Sequence, residues 1–509
     1  MVYRTEAFEQ YQKFAQMEQK KKLTDLNETS EDVLSFLQGK LETLDGAIKA
    51  AREHYSGAHV KESKSVADQI QSLKRRTFGR SLSKTKSLMQ YSIRSQLDDL
   101  HEYTPWFMYI ITLAQLICLA VTCYLHSFAP IGLQQTVKLQ DGIKTFRGTE
   151  TIDSWISPNI WIGPPLSGLI EKGAFHAPCL REDLTVITYY AKQEYDSVGT
   201  LGCCEMALRN TAGTTTEDEC SDATSGAGDW RDGVTCRARP PGQNSVAHIL
   251  KPCCHGYMGH CLLATHEHCL FIGGQFQKRA DHCSQVDCIS ILCGFGGFSK
   301  TKDKPYKPES INHWWRLFFG LLHHHGIFHW LMVAAIQLLI GRQIEKLAGW
   351  LRIAIIYILS GVFGLLVGAI FNPHRAQVGG GAAIFGLLGV LLVELIQSWE
   401  LVANRSFELF KLTNIFLLLL FISTLPPLDN ISHIAGTIMG CLSGIILLPY
   451  ITFNRWHVRR KRILIGVLSP LVFGMMFIVL YIFYSVQPVD ICPGCDYINC
   501  VPYFIGICD

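Results

Sequence analysis

Seven stretches of this chain are each apolar over roughly the length needed to cross a lipid bilayer, about 20 residues in helical form. They lie at 106–124 and at about 317–340, 351–371, 378–397, 407–425, 431–451 and 463–485. A segment without water must satisfy its backbone hydrogen bonds internally, so such runs fold as helices packed in a bundle. The composition agrees: of 509 residues 48% are hydrophobic and only 17% charged, the balance of a polytopic membrane protein with a soluble part. The run at 431–451 is the weakest, because it opens on a histidine.

Charge sets the expected orientation. Lys74, Arg75, Arg76, Arg80, Lys84, Lys86 and Arg94 precede the first run with no acidic residue among them, and Arg455, Arg459, Arg460, Lys461 and Arg462 precede the last. Basic flanks stay in the cytosol. An odd number of spans then puts 127–313 and the C-terminal tail on the lumenal side. The polar first 22 residues have no apolar core, so a cleaved signal peptide is not expected and the first run acts as a signal anchor.

The cysteines follow the same partition. Twelve of 19 lie in 127–313 (Cys179, Cys203, Cys204, Cys220, Cys236, Cys253, Cys254, Cys261, Cys269, Cys283, Cys288 and Cys293) and four in the tail (Cys492, Cys495, Cys500 and Cys508). Even counts on the predicted lumenal side favour disulfides. Zinc is the alternative, since Cys492-x-x-Cys495 and the Cys261/His266/His268/Cys269 cluster have loosely suitable spacing. A Gly/Thr/Ser/Asp-rich stretch from Thr211 to Asp232 has little hydrophobic periodicity and needs covalent staples.

These features divide the chain into a partly disordered cytosolic tail (1–104), a first span (105–126), a cysteine-rich lumenal domain (127–313), a six-span membrane domain (314–486) and a lumenal tail (487–509). Within the cytosolic tail, Arg80-Ser81-Leu82-Ser83 has the pattern read by 14-3-3 proteins when Ser83 is phosphorylated, without the downstream proline. The plainer reading is a basic strip drawn to anionic lipid, a contact that phosphorylation weakens. Small residues recur every fourth position in the spans: Gly364 and Gly368; Ala382 and Gly386; Gly436, Gly440 and Gly444. Such stripes let helix backbones meet in lipid.

Two segments carry the remnants of a chemistry. One is Val378-Gly379-Gly380-Gly381-Ala382-Ala383-Ile384-Phe385-Gly386; the other, some fifty residues on, is Asn430-Ile431-Ser432-His433-Ile434-Ala435-Gly436. A third, His323-His324-His325-Gly326-Ile327-Phe328-His329, precedes Val333. Together they resemble the rhomboid proteases, intramembrane serine enzymes whose Gly-x-Ser-Gly motif falls in the first frame and whose base falls at His433. The resemblance puts Gly381 where the nucleophile belongs. His324 and His329 match the pair that steadies the oxyanion, and Val333 stands where an asparagine assists them. With nucleophile and oxyanion donor both altered, catalysis lacks two of its parts. Without that resemblance His433 reads as a polar residue near a helix end. Ser360, Ser432 and Ser443 are the candidates for a displaced nucleophile, and Ser432 adjoins His433 on the helix without facing it.

Other segments narrow the family. Trp161-Ile162-Gly163-Pro164-Pro165, Ala177-Pro178-Cys179 and His282-Cys283-Ser284-Gln285-Val286-Asp287-Cys288 resemble the inactive rhomboids, or iRhoms; so do Glu345-Lys346-Leu347-Ala348-Gly349-Trp350, Val393–Trp399 and Leu448–Phe453. The likeness runs over roughly 74–509, with a shorter cytosolic tail than many iRhoms and without their usual proline before the lost serine. It implies a seven-span (6+1) rhomboid-like helical bundle, otherwise all-α, with a disulfide-rich lumenal domain between spans 1 and 2. It implies an adaptor, not an enzyme, resident in the endoplasmic reticulum membrane and reaching the Golgi and plasma membrane. Its clients would be single-span proteins: a TACE-type ADAM metalloprotease and EGF-family ligand precursors. A groove between spans 2 and 5 would hold the client helix, with Trp315 and Arg316 at its rim; the same two residues also read as interfacial anchors. No cofactor, metal or nucleic-acid partner is expected. The rivals are a rhomboid protease with a displaced nucleophile and a channel or transporter, the latter lacking any inverted repeat.

Overall fold

A computed structural model of the chain describes residues 103–133, 136–145, 148–181, 202–206, 211–234, 236, 248–257, 259–281, 283–294, 312–373, 375–399, 402, 404–449, 455–485 and 496–499. Ser83 with its basic strip and Cys492, Cys495, Cys500 and Cys508 lie outside the described residues.

The first span is α1 (Trp106–His126), apolar throughout. Beyond it, β1 (Thr136–Thr145) and β2 (Gly148–Ile156) form an antiparallel ribbon with a register shift between Gln140 and Ile143. Two short helices follow, α2 (Leu166–Glu171) and α3 (Ala177–Leu180). Next come β3 (Gly202–Met206), β4 (Thr211–Thr215), α4 (Glu217–Thr224), β5 (Asp229–Asp232) and β6 (His248–Ile249), with sheet order β5-β3-β4-β6. A second sheet, ordered β8-β7-β9, contains β7 (Lys251–His255), β8 (His260–Ala264) and β9 (Gln275–Phe276); α5 (His266–Phe271) precedes β9 and α6 (Cys288–Leu292) closes the segment. The all-helical expectation therefore describes the membrane bundle, and the inter-span segment adds strands to it. Thr211, Thr214 and Thr215 suit a pleated ribbon, whereas β7 is tied by the disulfides of Cys253 and Cys254.

All twelve cysteines of this segment are paired: Cys179–Cys293, Cys203–Cys236, Cys204–Cys220, Cys253–Cys269, Cys254–Cys288 and Cys261–Cys283. Cys203–Cys236 brackets the low-periodicity stretch from Thr211 to Asp232, and Cys204–Cys220 ties its first half back to β3. The zinc reading of Cys261 and Cys269 fails because each is spent on a different disulfide. Five bridges close 16 to 34 residues, and Cys179–Cys293 closes 114.

The membrane part comprises α7 (Arg316–Phe319), α8 (Ile327–Ala348), α9 (Trp350–Phe371), α10 (Gly381–Gln397), α11 (Arg405–Ile422), α12 (Asn430–Leu447), α13 (Arg455–Ser485) and a last short α14 (Asp496–Asn499). Among the described residues five helices are long and apolar enough to cross a membrane: α1, α8, α9, α12 and α13. Helix α10 is apolar but has 17 residues, and α11 carries Arg405, Glu408 and Lys411 near its start. The chain is a multi-pass helical membrane protein. The second run, expected at 317–340, is displaced: after the single turn of α7 the backbone leaves the helix between Gly320 and Gly326 and resumes at Ile327. Hydropathy misses this break, because Leu321 and Leu322 keep the average high across it.

The bundle's centre is a contact of backbones. A Cβ added to Gly436 would fall under 3.0 Å from Ala382 O, and one on Gly440 equally close to Gly386 O. At Gly364 it would strike Ala382 Cβ and Ser432 O, both at 2.5 Å. Lipid rewards no apolar burial between helices, so this interlocking of α9, α10 and α12 supplies the cohesion. Helix α1 is attached differently. Glu345 of α8 accepts from the N–H groups of Phe107 (2.8 Å) and Met108 (2.9 Å), filling orphan donors at the start of α1. Deeper in, Thr112 donates to Gln337 Oε1 (2.7 Å), and Gln115 and Gln337 both donate to the Tyr357 hydroxyl at 3.0 and 2.9 Å. That buried network joins α1, α8 and α9.

Candidate functional site

Helix α10 starts at Gly381, and His433 sits in the first turn of α12 opposite it. The two closely packed helices bring the positions together because Gly436, one turn after His433, lets its backbone touch that of Ala382, next to Gly381. The imidazole is buried and stacks on Phe385 at 4.5 Å between centroids and 8° between planes. Its Nε2 occupies the space a side chain at 381 would need: a Cβ there would lie under 3.0 Å from it. The site is closed by its own histidine. His433 Nδ1 has no hydrogen-bond partner among the described residues.

No described hydroxyl bonds to that ring. Ser432 donates to Asp429 O (2.8 Å), Ser360 to Ile356 O (2.6 Å) and Ser443 to Met439 O (2.7 Å), each a carbonyl of its own chain segment. The three serines are structural here.

The histidines of the α7–α8 turn gather beside Gly379, whose φ of +104° suits glycine and whose absent Cβ would meet His329 at 2.7 Å. His329 Nδ1 accepts from His325 N (3.4 Å), and His324 Nδ1 faces Leu322 O (3.2 Å). The rings of His324 and His329 lie 5.1 Å apart, and His324 Nε2 is buried without a partner among the described residues. Val333, one turn along α8, is instead buried in the apolar cluster with Met108 and Ile353. The structure thus gathers Gly381, His433, His324 and His329 and leaves Val333 in the core.

The inter-span segment covers this site. Ile327 N donates to Ile162 O (2.9 Å) and Phe328 N to Trp161 O (3.2 Å), so the 161–165 loop caps α8. Asn159 Nδ2 reaches His325 O at 2.7 Å, and Trp161 Nε1 donates to Pro426 O at 3.1 Å. Gly163 and Gly326 pass so closely that a Cβ on either would collide with the other strand's carbonyl. Further along, Phe175 and Gln377 exchange backbone hydrogen bonds at 3.1 and 2.8 Å, four residues before Gly381. The Trp161–Pro165 motif is a clasp, a role its spacing in sequence does not reveal.

Arg316 corrects the expectation of a client-facing rim. It is 1% exposed, with Nη1 donating to Ile170 O (2.6 Å) and Ala174 O (3.0 Å) and Nη2 to Cys293 O (3.0 Å). Its charge is spent on binding the inter-span segment to the bundle. Trp315 is half-buried, under the guanidinium (5.1 Å) and against Gly173. Sequence reasoning missed a second anchor: Asp429, which caps α12 through Ile431 N (3.0 Å), while Asn430 Nδ2 donates to Ile498 O (2.8 Å) and Ile431 N also reaches Asn499 Oδ1 (3.3 Å). Burial pushes the Asp429 carboxyl up to about 6.

Residues 311–450 match the rhomboid domain family. Inactive rhomboid protein 1 of Bos taurus is 31% identical over 468 residues, covering 82% of this chain and 53% of the relative. The Danio rerio protein of that name is 32% identical over 465 residues, with the same coverage. Inactive rhomboid protein 2 of Homo sapiens is 32% identical over 485 residues, 85% of this chain and 55% of its own. The chain spans about half the length of the curated relatives it matches. The match extends well beyond the rhomboid domain into the cysteine-rich segment: the chain belongs to the inactive rhomboid family.

Proposed function

We propose that this protein is a non-catalytic rhomboid that serves as an adaptor for single-span membrane clients in the secretory pathway. The observation that carries the reading is the closed site: glycine at 381 and His433 Nε2 filling the space beside it. A side-chain oxygen is what the reaction needs, and none is placed there. The clasped inter-span segment supports the adaptor role, since a domain fixed to the bundle at Trp161, Phe175 and Arg316 can hold a client's ectodomain in register with its membrane helix.

In this proposal the clients are a TACE-type ADAM metalloprotease, carried from the endoplasmic reticulum to later compartments, and EGF-family ligand precursors. The inter-span segment faces the lumen, the N-terminus faces the cytosol, and phosphorylated Ser83 recruits 14-3-3. The test is a pulse-chase of the metalloprotease in cells with and without this protein, reading the fraction whose glycans resist the endoglycosidase that trims immature chains. Collapse of that fraction supports forward transport. An unchanged fraction removes this client and turns the test to the turnover of the growth-factor precursors.

A further inference from the structure

Ten of the twelve paired cysteines are buried; Cys261 and Cys283, bonded to each other, are half-buried. Their bridge ties β8 to the turn that precedes α6. On the same sheet β7 and β8 run antiparallel, and their register sets Cys254 directly opposite Cys261. Opposed residues point to the same face with Cα atoms about 4.5–5.5 Å apart, within the span of a disulfide. Cys254 is nevertheless bonded to Cys288, at the start of α6 and five positions after Cys283. The four cysteines form a square with two of its sides bonded.

The square is separate from the remaining bridges. Side chains alternate along a strand, so Cys253 points to the other face of β7, where it is bonded to Cys269 of α5. The bridges of Cys179, Cys203 and Cys204 join other elements. There is also room for a sulfur to move: Cys254 and Cys288 line a cavity of about 230 Å³, together with Ser167, Glu171 and His255.

We propose that Cys254, Cys261, Cys283 and Cys288 are a disulfide-exchange site for a thiol–disulfide oxidoreductase, switching from the pairs Cys254–Cys288 and Cys261–Cys283 to the pairs Cys254–Cys261 and Cys283–Cys288. The oxidoreductase thiolate attacks Cys283 Sγ at the half-buried bridge, forming a mixed disulfide and releasing the Cys261 thiolate. Cys261 attacks Cys254 Sγ across the hairpin, and Cys288 leaves as a thiolate. Cys288 then attacks Cys283 Sγ, which closes the second new bridge and returns the oxidoreductase thiolate. Each step breaks one S–S bond and forms another, so no net electrons pass and no oxidant is consumed. The result is mechanical. Helix α6 keeps the Cys179–Cys293 bridge and its contact with Arg316, while the β7–β8 hairpin loses its covalent tie to that helix. The inference rests on the lumenal placement proposed above, since that is where such oxidoreductases work.

The test uses the full-length chain in nanodiscs with its free thiols blocked. It is incubated with protein disulfide isomerase and a glutathione redox mixture, quenched in acid and mapped by mass spectrometry after cleavage at Met258 and Asp287, which separate the members of each new pair. Peptides joined through Cys254–Cys261 and through Cys283–Cys288 appear together, and the other four bridges stay as they were. Cys261→Ser combined with Cys283→Ser removes the point of entry and slows the opening of Cys254–Cys288 by about tenfold or more. Simple reduction of Cys261–Cys283 with Cys254–Cys288 left intact overturns the proposal. So does opening of Cys254–Cys288 at the wild-type rate in the double variant, or scrambling that reaches Cys253 or Cys203 equally. The lumenal placement is read separately, by protection of 127–313 from protease added to sealed microsomes; loss of that protection overturns the placement and not the exchange seen on purified protein.

Discussion

Between α10 and α12 two backbones touch because neither has a side chain in the way; between α3 and α6 two backbones are tied by a bond through sulfur. The first region lies in a stretch built to be surrounded by lipid, where burying a methyl group beside another gains little over leaving it among acyl chains. Cohesion comes from fit, and Gly364, Gly436 and Gly440 provide it. The second has water around it but too little apolar mass. Two of its clusters are Cys203/Ala212/Cys236 and Cys253/Ala264/Cys269, cores made largely of the disulfides themselves. Each region therefore fails to a different insult, steric in one and reductive in the other.

The largest effect is expected from Gly440→Leu, which drives a branched side chain into the backbone of Gly386. A loss of about 3 kcal/mol or more should follow. The half-buried Cys441 thiol, which faces Gly389 O, reports it through its labelling rate on heating. An unmoved midpoint would mean that fit between α10 and α12 is not what holds the bundle. Next comes the double change Cys179→Ser with Cys293→Ser, expected to cost the inter-span segment about 2–5 kcal/mol. Protease cleavage within 127–313 should accelerate while the bundle's melting stays put. A parallel fall in the bundle would show the two regions to be one cooperative unit, joined through Arg316.

Gly381→Ser tests the centre of the site. The new Cβ overlaps His433 Nε2, so a loss of about 1–3 kcal/mol and no labelling by a fluorophosphonate probe are expected. Labelling would reveal that His433 can withdraw and that a dyad is latent. The smallest effect concerns pH. Asp429 is held at about 6 in the folded protein against an ordinary 3.8, so the folded state binds a proton more tightly than the unfolded chain. Stability at the α12–α14 junction should rise as pH falls from 7 through 6 and level off below about 4, by roughly 1 kcal/mol between pH 7 and 5. Hydrogen exchange of 496–499, corrected for intrinsic rates, measures it; faster exchange at pH 5 would refute it.

Much of this arrangement was legible in the residues alone. Apolar runs located the helices, and the rhomboid resemblance named Gly381 and His433 as a pair, while the imidazole filling the space beside Gly381 was visible only in the packing. The partition of cysteines anticipated disulfides but could not supply their pairing, which depends on which strands become neighbours. The break before α8 was hidden because a mean over apolar residues is blind to two glycines around a cluster of histidines. Arg316 was misjudged for a similar reason: its carbonyl partners at Ile170 and Ala174 lie more than 140 residues upstream. Thr112, Gln115, Gln337 and Tyr357 each read as a lone polar residue in an apolar run, and only the packing of three helices makes them a network.

The Glu345 carboxylate that closes the start of α1 is 238 residues downstream of the amide it serves. At ordinary synthesis rates that separation takes about 10–50 s to translate. For that interval the first helix waits at the membrane with its leading amides open, its polar side chains without α8 and α9, and the inter-span segment still folding beyond it. Assembly therefore has an order, in which the first span is secured only after the whole inter-span segment and α8 have been made. A slow passage through 127–313, as when disulfide formation is starved of oxidant, would lengthen the wait and leave α1 as the part of the newborn protein most exposed to quality control.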